Sequence, residues 1–316
     1  MKFREIIRGG RETIQFWKNY CSFIKRGKVD ESFMQLETMN WLLDRKNVIL
    51  SYYEKSGAGP YAHELSGLRK SLPLNMTCDV EDYREKLVNI ESELNTVTWD
   101  VDAKMFYIIR NGKKLYFKKS IDTRRKVEEY YTYLAYEQTV NSPHKYESDT
   151  FCVKEHDFLA DCGAAEGFFG LDNIELVDKL YIFECDEEWI EALRYTFSPY
   201  GNKVEIIPKF LGTKNDEKYI SLDTYFADKK VTFIKMDLEG CEHDVLLSAN
   251  SVLQRGDGLK LAITVYHNQV DEEKVLQLLN DTVTEFKIER SNGYLLHGWE
   301  EAEPPYFRTG ILRIEI

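Results

Sequence analysis

The sequence predicts an α/β protein, with helices on both faces of a mostly parallel sheet and a largely helical region ahead of it. Two observations carry this. Beyond residue 150, short apolar runs alternate with helical patterns, the rhythm of strand–helix–strand units. Before it, apolar positions recur at helical spacing, interrupted by "AKMFYIIRNGKKLYFKKS", a hairpin signal whose Asn111-Gly112 suits a type I′ turn. The polar stretch "NSPHKYESDT" at 141–150 separates the two rhythms. Residues 1–139 are therefore expected to form the helical region, with its hairpin at 103–118, and residues 140–316 the α/β domain.

The elements follow in order. Phe3, Ile7, Gly10, Ile14, Trp17, Cys21 and Ile24 share one face of a first helix, whose other face carries Arg4, Arg8, Arg11, Lys18 and Lys25. A second helix runs from Asp30, its cap, to Gly57-Ala58-Gly59-Pro60, which stops it. A third follows Asp79, and "TRRKVEEYYTYLAYEQTV" returns to helix after the hairpin. The expected strands are "DFLAD", "KLYIFE", "KVEIIP", "VTFIKMD", "LKLAITVY", "FKIER" and "GILRIEI", with helix-like segments between them. In such sheets ligands sit beyond the carboxyl ends of the strands, at the switch point. Candidates are therefore sought there.

Composition bounds the classes. With 316 residues, 43% hydrophobic, the chain can build two domains or one large domain with an extension. A formal net charge of −12 argues against nucleic acid as partner, because its phosphates need cations. No run approaches the roughly 18 apolar residues of a membrane span, and "MKFREIIRGGRETIQFW" lacks the apolar core of a signal peptide. Cys21, Cys78, Cys152, Cys162, Cys185 and Cys241 are scattered without a CxxC, which suits a reducing compartment and gives no zinc pattern. The expected location is the cytoplasm.

The first strand of the α/β region ends in Asp161-Cys162-Gly163-Ala164-Ala165-Glu166-Gly167. Gly163 allows a sharp turn and Gly167 a close approach of the next helix, while Ala164 and Glu166 complete the loop. The carboxylate of Asp161 stands where a nicotinamide-binding loop has glycine; it would repel a pyrophosphate and welcome a cation. Glu184, followed by Cys185, ends the second strand 23 positions later, where an acid accepts hydrogen bonds from ribose hydroxyls. Asp186 reads as the cap of the next helix. Glycine loop, ribose acid and an acidic first position together favour S-adenosylmethionine as cofactor, and disfavour a nicotinamide oxidoreductase.

The fourth strand ends in "IKMDLEGCEHDVLL", where Lys235, Asp237 and Glu239 alternate onto one side and Gly240 turns the chain into a helix. The fifth delivers His267 to the same rim. His267 can act as a general base on a hydroxyl, with Asp237 orienting the imidazole or binding that hydroxyl. Alternatively Asp237, Glu239 and His267 can present ligands to Mg²⁺. His144 and Tyr146 in "SPHKY" can close over the cofactor or simply pack the linker. Arg308 faces substrate or solvent, and Phe210-Leu211-Gly212 is the place to search for adenine contacts.

The segments "DCGAAEGFFGL", "YIFECDEEW", "SLDTYF", "FIKMDLEGCEHDVL" and "LAITVYH" together resemble the FkbM family of class I methyltransferases. The resemblance covers roughly residues 140–316 and is most specific in K-x-D-x-E-G; "SPHKY" and "PPYFRTGILRIE" resemble one branch of the family. It implies a Rossmann-like sheet of seven strands with the last antiparallel, S-adenosylmethionine as cofactor, and O-methylation of a hydroxyl, typically of a sugar in a glycan or natural product. Cys162 and Glu166 depart from the usual small or polar residues of the family. The competing reading is a scaffold or peripheral membrane protein acting through the basic face of the first helix.

Overall fold

The computed structural model describes residues 32–70, 90–294 apart from 141, 257 and 269, and 303–316. The expected first helix lies outside the described residues, as does most of the third, whose last turn at 90–94 is helical. The second helix is α1 (Ser32–Ser56), ended at Gly57 with φ +85°, and it is followed by α2 (Ala62–Lys70). Ile49 and Tyr53 of α1 pack with Leu65 and Leu68 of α2 against Tyr306 and Phe307 near the C-terminus.

The hairpin carries one strand more than expected. β1 (Thr98–Asp100) pairs antiparallel with β2 (Met105–Arg110), and β2 with β3 (Lys113–Tyr116). The extra turn is built by Asp100, whose Oδ1 accepts from the backbone N–H of Asp102 and Ala103. Asn111 and Gly112 take φ +48° and +76°, the positive values that a type I′ turn requires. α3 (Arg124–Glu137) follows, capped by the Thr123 side chain on Lys126 N–H.

Then come β4 (Phe158–Cys162), α4 (Phe168–Asn173), β5 (Lys179–Phe183), α5 (Glu187–Phe197), β6 (Val204–Ile207), the short pair β7 (Phe210–Leu211) and β8 (Tyr219–Ile220), α6 (Leu222–Tyr225), β9 (Phe233–Met236), α7 (Glu242–Leu246), α8 (Asn250–Arg255), β10 (Lys260–Thr264), α9 (Asp271–Thr282), β11 (Lys287–Arg290) and β12 (Ile311–Glu315). All seven expected strands enter one sheet, in the order β11-β12-β10-β9-β4-β5-β6. β12 runs antiparallel to both neighbours, and β6-β5-β4-β9-β10 are parallel. The order reverses between β4 and β9, so their carboxyl ends open the crevice in which ligands of such sheets bind.

Both faces of the sheet are covered. On one, Leu159 and Leu180 share a core with Met105, Ile108 and Leu115 of the hairpin sheet and Val127 and Tyr131 of α3. Segments on either side of residue 140 thus meet in one apolar layer. Arg110 ties the hairpin to α4 through paired bonds to Asp172 at 2.7 and 2.6 Å. On the other face, Ala160, Tyr181 and Ile234 pack with residues of α6 to α9. No helix among the described residues is long and apolar enough to cross a membrane.

Candidate functional site

A cavity of about 630 Å³ opens at the carboxyl ends of β4 and β9, within the usual size of small-molecule sites. Gly163, Ala164, Ala165 and Glu166 form its floor, Lys235, Asp237, Glu239 and Tyr266 one side, and His144 and Tyr146 another. The remaining wall is α3, through Lys126, Glu129, Tyr130, Tyr133, Leu134 and Glu137. The cavity therefore brings together Gly163, Ala164, Glu166, His144, Tyr146, Asp237 and Glu239. Asp161, Gly167, Glu184, Cys185 and His267 are not among its lining residues.

The loop after β4 is shaped by contact with the neighbouring strand. Gly163 has φ +73°, and a Cβ there would land on the carbonyl oxygen of Asp237. Gly167 has φ +83°, and a Cβ would meet Leu193 at 2.6 Å and Phe197 at 2.7 Å. Both positions demand glycine on conformation and on space. Asp161 lies beneath the loop, completely buried. Its Oδ2 accepts from Gly170 N–H at 3.2 Å, and Oδ1 meets Lys235 Nζ as an ion pair at 3.1 Å. Its charge is thus matched by lysine within the sheet. Lys235 also donates to Gly163 O at 2.7 Å. Burial works to lower the Lys235 ammonium, but Asp161 and Asp237 beside it raise it above its ordinary value.

Glu184 holds the same loop from the second strand. Its Oε2 accepts from Ala165 N–H at 2.8 Å, and Oε1 from the N–H groups of Cys185 and Asp186 at 2.7 and 2.8 Å. Ala165 takes φ +47°, an uncommon value that this bond helps to hold. The Cys185 side chain is exposed. Asp186 caps α5 on Glu188 N–H, as expected. Glu184→Ala should lose loop geometry, and with it the carboxylate expected from its position to accept from ribose, so its expected effect on cofactor affinity is about a hundredfold, from hydrogen bonds to a charged group at about 1.5–3 kcal/mol each. Calorimetric titration with S-adenosylmethionine checks this, and unchanged affinity would remove Glu184 from the site.

Asp237 is the centre of the far side. Its Oδ2 accepts from Tyr146 OH at 2.6 Å and lies 3.6 Å from His144 Nε2, while Oδ1 lies 3.6 Å from His267 Nε2. Burial pushes this carboxyl up, yet Lys235, His267 and the bond from Tyr146 hold it below its ordinary value. His144 is the neutral member: burial takes it down to about 4. Its Nε2 hydrogen-bonds Tyr266 OH at 2.9 Å, so the "SPHKY" segment lines the cavity.

His267 stands behind Asp237. Nδ1 lies 3.2 Å from Glu242 Oε1, and Nε2 lies 3.5 Å from Glu239 Oε2. Burial works to lower this imidazole, but Glu242, Asp237 and Glu239 raise it above its ordinary value. A raised histidine stabilises the fold fully below its unfolded value near 6.5, and that contribution is lost as pH rises through the folded value. Glu242 is further held by Leu238 N–H and Thr264 OH, both at 2.7 Å. Arg308 points inward, donating to the carbonyls of Tyr266 and His267 at 2.8 and 2.9 Å, and so fixes the exit of β10. Phe210 and Tyr219 stack on each other in the β7–β8 pair, away from the cavity lining.

Sequence reasoning missed the α3 wall. Lys126, Tyr130, Tyr133, Leu134 and Glu137 lie one helical face apart from the buried Val127 and Tyr131. Tyr130 OH donates to Glu166 at 2.6 Å, and burial pushes the Glu166 carboxyl up against that bond. The signal was a second stripe, aromatic and acidic, on a helix whose first stripe already sufficed for packing.

A doubly covered sheet in this strand order, with a glycine loop, a second-strand acid and an acidic cavity at the switch point, defines a class I S-adenosylmethionine-dependent methyltransferase. The model of the methyltransferase FkbM domain matches residues 89–296, more than half of the chain, and the chain belongs to that family. Among solved structures, the chain is similar to methyltransferase FkbM from Methylobacillus flagellatus, at 17% identity and TM-score 0.45, over 77% of this chain and 62% of that one. It is also similar to an rRNA methylase from Streptococcus thermophilus, at 17% identity and TM-score 0.39, over 56% and 97%. A tRNA m1G37 methyltransferase from M. jannaschii gives 17% identity and TM-score 0.40, over 67% and 53%. No curated protein matches.

Proposed function

We propose that this chain transfers a methyl group from S-adenosylmethionine to a hydroxyl, that of a sugar in a glycan or natural product. The observation that carries the reading is the Asp237 carboxylate, held ionised on the wall of an aromatic-lined cavity beside the glycine loop. The cofactor's sulfonium supplies an already activated methyl, so alignment is the larger task, and near-attack positioning contributes about 7–11 kcal/mol.

The residues fit that task. Gly163, Ala164 and Glu166 line the cavity floor, with Asp161 and Gly167 supporting them and Glu184 and Cys185 at the end of β5. Glu129, Glu137, Glu166, Asp237 and Glu239 make the lining acidic, whereas Lys126 is paired with Asp122 at 2.8 Å and Lys235 with Asp161 at 3.1 Å. An acidic cavity favours a cationic donor and a neutral acceptor. Asp237 is the group to accept the acceptor's hydroxyl proton in a hydrogen bond, with Tyr146 and His144 fixing its orientation. His267, from behind, supports its charge or receives the proton through it. Tyr133, Tyr266 and Phe169 offer apolar faces for a pyranose ring.

A second reading keeps Mg²⁺ in the site. Among the described residues, ligand atoms of Asp237, Glu242 and His267 lie within 4.8 Å of one another, so Glu242 joins the set in place of Glu239. A divalent ion there would acidify a bound hydroxyl as a Lewis acid. Chelator would then abolish activity and Mg²⁺ restore it.

The test of the main reading is radiolabelled methyl transfer to a panel of neutral mono- and oligosaccharides. Label recovered in a methyl ether is the expected result. A protein that binds the donor yet labels only nitrogen or carbon would overturn O-methylation.

A further inference from the structure

Of the lining carboxylates, Glu137 and Glu239 accept no hydrogen bond among the described residues, and Glu137 is the one largely shielded from solvent. The others are engaged or turned out. Arg125 pairs with Glu129 at 2.7 Å, Tyr130 OH reaches Glu166 and Tyr146 OH reaches Asp237, each at 2.6 Å. Glu239 has its side chain 93% exposed. The basic group that approaches Glu137 among the described residues is His144, whose Nδ1 lies 3.8 Å away and whose burial keeps it neutral at pH 7. α3 therefore presents an uncompensated acid to the cavity, opposite the loops after β4 and β9.

We infer that Glu137 is the residue by which the cavity tells the cationic sulfonium of S-adenosylmethionine from the neutral thioether of S-adenosylhomocysteine. This rests on the reading that the cavity holds the cofactor. The two ligands share adenosine and the amino-acid tail, and differ by one methyl group and one positive charge. Hydrogen bonds from the glycine loop and Glu184 act on the shared parts and cannot separate them. The ionised Asp237 also attracts the sulfonium, but it does so alike in the wild type and in a Glu137 variant, so the share of Glu137 is read as the change on removing its carboxyl. An unbalanced carboxylate in a partly dehydrated cavity attracts the sulfonium and is indifferent to the thioether. Transfer of the methyl group thus removes the attraction that held the donor, and product leaves the site it has just neutralised.

Asp237, Glu166 and Glu239 face Glu137 from the neighbouring elements, together with His144 and the hydroxyls of Tyr130, Tyr146 and Tyr266. Burial, and then those three acids, push the Glu137 carboxyl up to about 8. A bound cation favours the ionised form, so donor binding at lower pH must expel this proton. Donor affinity should therefore rise with pH until about 8 and level off above it. The ratio of S-adenosylhomocysteine affinity to that of the donor removes most of what the shared adenosine and tail contribute, and comparison of that ratio between wild type and Glu137→Gln isolates Glu137.

The experiment is calorimetric titration of the full chain with S-adenosylmethionine, S-adenosylhomocysteine and sinefungin, whose protonated amine replaces the sulfonium, at pH 6, 7.5 and 9. The wild type is expected to prefer both cationic ligands over the thioether by about tenfold at pH 9, a modest share of a single Coulombic contact. That preference shrinks at pH 6. In Glu137→Gln, isosteric and uncharged, it is expected to fall severalfold at pH 9 and to lose its rise with pH while thioether affinity is kept. Glu137→Ala gives a second variant should the first fold poorly. A wild-type preference retained in both variants would overturn the inference, as would equal weakening of all three ligands. Binding of none of them by the wild type would overturn the cofactor reading itself, and this inference with it.

Discussion

Lys235→Met is expected to destabilise the protein by about 3–5 kcal/mol, because it leaves a buried carboxylate without its partner. Lys235 is 4% exposed and Asp161 0%. The two face each other across adjacent strands, in direct register. Gly170 N–H still satisfies one oxygen of Asp161, but the other would keep no counter-charge. The lost ammonium also supported Gly163 O, so the glycine loop should loosen along with the sheet. Urea unfolding followed by circular dichroism reads the loss. Combining Lys235→Met with Asp161→Asn should recover part of it, since the stranded charge is then gone. A loss within about 0.5 kcal/mol for the single variant, the range of ordinary surface changes, would show that the pair is not buried as described.

This pair also marks the limit of what the sequence made legible. The strands were readable because each is a short apolar run ending in polar or glycine residues at a carboxyl terminus, and that pattern is local. The turn at Asn111-Gly112, the cap at Asp186 and the glycines at 163 and 167 are local for the same reason. Pairing of Asp161 with Lys235 depends on β9 lying beside β4, and adjacency is a property of the assembled sheet. Read alone, Asp161 looked available to a ligand; in the sheet it balances a lysine.

The same distinction separates Glu242 from Glu239. Both flank Gly240-Cys241, and only Glu239 is singled out from the sequence. Folding turns Glu239 outward at φ +54° and sends Glu242 inward to Leu238 N–H, Thr264 and His267. No spacing rule distinguishes the two, because the choice is made by the left-handed backbone at 239 and 240. The cavity wall on α3 failed for another reason. A helix with one buried stripe satisfies every packing argument, and the purpose of its second stripe appears only when the glycine loop stands opposite.

Asp237→Asn is expected to lower turnover by about 10²–10⁴-fold, the usual cost of removing a group that manages a proton in the transition state. Asp237 lines the cavity, whereas His267 lies behind it with both ring nitrogens against acids. Asparagine keeps the shape and can still accept from Tyr146, so the loss should fall mainly on turnover, with donor affinity weakened far less. His267→Gln should cost less, because the carboxylate in contact with the hydroxyl remains. The pH profile at saturating donor separates the two roles. Lys235, His267 and the bond from Tyr146 hold the Asp237 carboxyl below its ordinary 3.8, so it stays ionised through the neutral range and imposes no limb near 6.5. A base at His267 would impose one above 6.5, with activity lost as pH falls and the imidazole protonates, because its acidic neighbours raise it. The reverse ranking, with His267→Gln the more damaging and that limb present in the wild type, would make the histidine the base and leave Asp237 to orient it.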